Sequence, residues 1–72
     1  MLRNAKPTEG YNIFWGEAGN PQEALSDMIE KIRQAEVDFE VVRGFGGPFL
    51  KETEHPKDIW YATQALELRR RS

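Results

Sequence analysis

"PKDIWYATQALELRR", residues 56–70, is the stretch on which the fold turns. Ile59, Ala62 and Leu66 recur at spacings of three and four, the apolar stripe by which an amphipathic helix faces a core. Pro56 and Asp58 suit a helix start, and Arg69, Arg70 and Arg71 suit the negative end of a helix dipole. The spacing predicts a helix over about 56–70. Trp60 and Tyr61 are neighbours, so on a helix they point about 100° apart and one of them lies at the edge of the stripe.

Upstream, Asn20-Pro21-Gln22-Glu23 supplies an N-cap, a proline at the first helical position and an acid three residues beyond the cap. Leu25, Met28, Ile29 and Ile32 then fall on one helical face, with Ala24 and Ala35 flanking them and Asp27 placed to pair with Lys31 on the solvent side. Before this helix, Tyr11 to Trp15 is aromatic and β-branched and ends at Gly16, a strand signal that gives Tyr11, Ile13 and Trp15 a common face. After it, Val37, Phe39 and Val41 alternate with Asp38, Glu40 and Val42. A helix between two strands fits a crossover, which would make the strands parallel. A short third strand is expected over about 49–53. The expectation is an α+β fold of order β-α-β-β-α, a small three-stranded mixed sheet with two helices packed on one face. Residues 11–72 would form a single domain behind a flexible segment, 1–10.

With 72 residues the chain has room for one small core, and without cysteine neither disulfides nor thiolate metal sites can hold it. Packing alone, or packing with a partner subunit, has to suffice, so a homodimer is in view. Charged residues make up 31% beside 39% hydrophobic, which suits a folded globular chain. No apolar run is long enough to span a bilayer, and a cytoplasmic location is expected. The net charge of −2 works against phosphate binding.

Arg43-Gly44-Phe45-Gly46 resembles the opening of the signature of RNA-recognition motifs, and Ile13-Phe14-Trp15-Gly16 resembles their first strand. The resemblance implies base stacking on a sheet face. Gly47-Pro48 stands where that family has an apolar pair, and no fourth strand fits after Leu68. Gly44, Gly46, Gly47 and Pro48 read better as a hairpin connection with Phe45 at its tip.

Glu52, Glu54, His55 and Asp58 cluster, but carboxylates and a single histidine with nothing converging on them read as a solvated loop before a helix. Gly16 to Asn20 reads as a tight turn, since a phosphate cradle would have Glu17 inside it and lacks a following lysine. No catalytic residue, metal site or cofactor is expected.

With Tyr11, Ile13, Trp15, Val37, Phe39 and Val41 assigned to the core, the open face of the sheet would carry Asn12, Phe14, Asp38, Glu40 and Val42, with Phe45 at the adjoining loop. Apolar side chains rimmed by carboxylates suit a protein partner. The expected function is therefore a small non-enzymatic interaction module, accessory or regulatory, binding a protein or itself through that face. The alternative is a single-stranded RNA or DNA binder using Phe14, Arg43, Phe45, Arg69, Arg70 and Arg71.

Overall fold

A computed structural model describes residues 6–54 and 58–71. The elements are β1 (Gly10–Ala18), α1 (Pro21–Ala35), β2 (Phe39–Glu52) and β3 (Trp60–Arg70). β3 lies in the middle of a three-stranded sheet of order β1-β3-β2 and pairs antiparallel with both neighbours. β1 and β2 therefore run in the same direction without touching, which makes β1-α1-β2 a β-α-β unit split by an inserted strand.

The two-helix, β-α-β-β-α expectation is overturned. Residues 60–70 are strand, and among the described residues α1 is the one helix. Pro56, proposed to open the second helix, lies outside the described residues. The reason is visible in the burial of β3: Ala62, Leu66 and Leu68 are buried on one face, while Tyr61, Thr63, Ala65 and Glu67 alternate with them. Period two, together with aromatic Trp60 and Tyr61 before Ala62 and β-branched Thr63 after it, outweighs a three-residue helical coincidence. The mixed sheet is likewise replaced by one whose pairings are both antiparallel.

The expected hairpin loop at 44–48 is also absent. β2 runs through it as a single 14-residue strand, interrupted by register shifts between Val41 and Arg43 and between Phe45 and Phe49. Gly46 and Gly47 take φ of 63° and 76°, the left-handed region open to glycine, so the irregularity is absorbed without a side-chain clash. The short strand foreseen over 49–53 is the far half of β2.

α1 forms as its sequence prescribes. Asn20 Oδ1 accepts from Glu23 N at 2.9 Å, Asn20 Nδ2 donates to Glu23 Oε2 at 3.0 Å, and Pro21 opens the first turn. At the other end, Arg71 Nε donates to the carbonyl oxygens of Glu36 and Phe39, so a cation from the end of β3 sits beside the C-terminus of α1. The core between α1 and the sheet contains Phe14, Ala24, Met28, Ala35, Phe39, Ala62, Leu66 and Leu68. Three of these eight are alanine, so few large side chains carry the burial, each contributing about 1.5–3 kcal/mol.

Candidate functional site

Among the described residues no element covers the sheet face opposite α1. Its composition follows from the phase of β1: Phe14 is only 4% exposed and packs under α1, so its neighbours Tyr11, Ile13 and Trp15 point the other way. This reverses the sequence expectation, which put Phe14 on the open face and the three odd-numbered residues in the core. Tyr11 is 67% exposed and Ile13 60%.

Register lays the open face out in rows across the sheet. Glu40 and Arg69 form the first, followed by Tyr11, Glu67 and Arg43. Ile13, Ala65 and Phe45 come next, then Trp15, Thr63 and Phe49, and last Glu17, Tyr61 and Lys51. The two middle rows have small residues on β3 and large apolar ones on both sides. Phe49 is 65% exposed. Over the small Ala65, the rings of Tyr11 and Phe45 approach to 4.9 Å between centroids, while Trp15 and Tyr61 meet edge to face at 6.4 Å. The result is an aromatic platform about two rows deep, bounded at each end by charge.

Those charges are already partnered. Arg43 Nε donates to Glu67 Oε1 at 2.9 Å, and Arg69 Nη2 donates to Glu40 Oε1 at 2.7 Å. The Arg69 hydrogen bond, reinforced by its charge, holds the Glu40 carboxyl below the usual carboxylate range. Glu67 and, second, Tyr11 favour the charged form of Arg43, whose guanidinium also lies 5.0 Å over the Phe45 ring. Burial, followed by Glu17, pushes the Tyr61 phenol up. Across the face, Glu17, Glu40 and Glu67 balance Arg43, Lys51 and Arg69.

Of the residues proposed for protein binding, Glu40 and Phe45 lie on this face. Phe14 is core, Asp38 is in the turn between α1 and β2, and Val42 is the extra residue at the first register shift. The structure therefore does not bring the five together. Of the arginines proposed for nucleic acid, Arg69 is tied to Glu40, Arg70 stacks on the Phe39 ring at 4.8 Å, and Arg71 bonds the carbonyls after α1. Tyr11, Ile13, Trp15, Phe49 and Tyr61 are the face residues that the sequence reading missed. Gly16 was the available signal, because a glycine two residues after Phe14 marks the face where a helix comes close.

Glu52, Glu54 and Asp58 are exposed, and His55 of the same proposed cluster lies outside the described residues. Among the described residues no three histidine, cysteine or acidic side chains converge on a metal-sized site. No helix among them is long and apolar enough to cross a membrane. No known protein family, curated protein or solved structure matches the chain.

Proposed function

We propose that the protein is a non-enzymatic interaction module that takes a protein partner on the open face of its sheet. The observation that carries this reading is the pairing of charge around the aromatic platform. An aromatic sheet face suits nucleic acid when free cations surround it to meet phosphates. Here Arg43 and Arg69 are neutralised by Glu67 and Glu40, and Glu17 stands opposite Lys51 across the last row. An apolar centre with a polar, charge-balanced rim is what a protein interface presents. Ile13, Trp15, Phe45 and Phe49 would be its anchors, since buried aromatics near the middle of a contact dominate binding energy.

The test is photo-cross-linking in the native host with benzoylphenylalanine at position 13 or 49, using position 37 as control because Val37 is 75% exposed and lies off this face. Protein adducts are expected from 13 and 49 and not from 37. Adducts to nucleic acid from 13 and 49, or no adducts there at all, would overturn the reading.

A further inference from the structure

Resting on that reading, we infer that the partner seated on the open face is a second copy of this chain, packed face to face about a two-fold axis lying in the interface.

The sheet is built against growing sideways. β1 is an edge strand, and along its outer side Lys31 Nζ donates to Trp15 O at 2.9 Å while Asp27 Oδ2 accepts from Glu17 N at 3.0 Å. The Asp27–Lys31 pair thus spends its charges on two backbone groups that another strand would need. On the opposite edge, β2 is broken by two register shifts and carries Pro48, which has no N–H to donate. Edge-to-edge pairing is therefore blocked at one end of β1 and along the middle of β2. The open face has no such protection: Tyr11, Ile13 and Phe49 stand out from it with no covering element among the described residues.

The face also complements itself. A two-fold interface uses the same patch twice, so each patch has to tolerate its own image. Both ends of this one carry both signs, Glu40, Arg69, Glu67 and Arg43 at one and Glu17 and Lys51 at the other. An inverted copy meets no single-sign field at either end. Three strands about 4.8 Å apart and nine residues long make a face of roughly 14 by 30 Å in plan. In plan this is about half of the roughly 800 Å2 per partner that a standard stable complex buries, before the relief of its aromatic side chains is counted.

The contact would add stability to a chain with a small core. Its single core is small, three of the eight core residues are alanine, and no disulfide supports it. Chains of this size commonly gain the missing stability by associating. Two copies packed with sheets about 10 Å apart give four layers, with the helices outermost and a second core between the sheets.

Sedimentation equilibrium of the purified full chain over a wide concentration range tests the inference, read together with far-ultraviolet circular dichroism. Wild type is expected at twice the chain mass, and Val37→Asp should behave identically. Phe49→Asp should keep the folded spectrum and weaken association roughly 30-fold or more. If Phe49→Asp does not fold, Ile13→Ser takes its place, with the same expected loss. Wild type at single-chain mass throughout, or Phe49→Asp and Ile13→Ser as dimeric as wild type, overturns the second-copy inference. Single-chain mass with cross-links from positions 13 and 49 to a different protein removes the second copy and leaves the protein-partner reading standing. Single-chain mass without such cross-links removes both.

Discussion

The backbone at Met28 occupies the space that a side chain on Gly16 would require: a β-carbon there would stand 2.4 Å from Met28 N and 2.0 Å from Ala24 O. α1 therefore lies directly on the β1 backbone, and the face of β1 that bears Gly16 must be the inner one. Phe14 shares that face by alternation, which exposes Tyr11, Ile13 and Trp15. The aromatic platform is a consequence of this one close approach.

Gly16→Ala should accordingly be among the most damaging single-methyl changes in the chain. The contact is with backbone, so α1 must lift from the sheet, at a cost of about 3 kcal/mol by overpacking. Against a total stability of about 4–10 kcal/mol for a chain of this length, the denaturation midpoint should fall sharply. Gly19→Ala is the control: its nearest contact would be at 3.8 Å, and urea denaturation should place it within about 0.5 kcal/mol of wild type.

Asp27→Ala should release the Glu17 amide, which bonds Asp27 Oδ2 at 3.0 Å. Both partners of the Asp27–Lys31 pair are over a third exposed, so the loss in global stability should stay below about 1 kcal/mol. The sensitive measurement is amide hydrogen exchange, where Glu17 should exchange faster while the amides along β3 keep their protection.

The Glu40–Arg69 pair makes stability depend on acidity in a defined direction. Glu40 is held below its ordinary value in the folded chain, so its contribution is complete above the unfolded carboxylate value of about 4.3 and is lost as pH falls through the lower folded value. Glu40→Gln should be less stable than wild type near neutrality, and the gap should close in acid and narrow with added salt. Denaturation midpoints of the two proteins across acid pH check this. A gap that widens on acidification would contradict the pairing.

The sequence made α1 legible because cap, proline and acid agreed and each is present in the structure, while its buried stripe is centred on Ala24, Met28 and Ala35 and leaves Ile29 39% exposed. β3 was misread because Ile59, Ala62 and Leu66 satisfy a helical spacing while Ala62, Leu66 and Leu68 equally satisfy a two-residue one. The choice is made by β1 and β2, whose edges need a partner between them, and that is tertiary information. Gly46 and Gly47 correctly signalled irregular backbone but not its form, since a bulged strand and a hairpin both use left-handed glycine, whereas Gly44 pairs in regular register with Leu66. The open face was assigned backwards because the bulk of Tyr11, Ile13 and Trp15 suggested a core. Under a helix packed on Gly16 there is room for Phe14 and small residues instead.

The most direct test of the central claim is an isotope-filtered NOE spectrum of an equimolar mixture of labelled and unlabelled chains. Cross-peaks between copies are expected among the side chains of Ile13, Trp15, Phe45 and Phe49, with none from Phe14 or Met28. Inter-copy cross-peaks arising from α1 or from Phe14, or none from the platform residues, would contradict it.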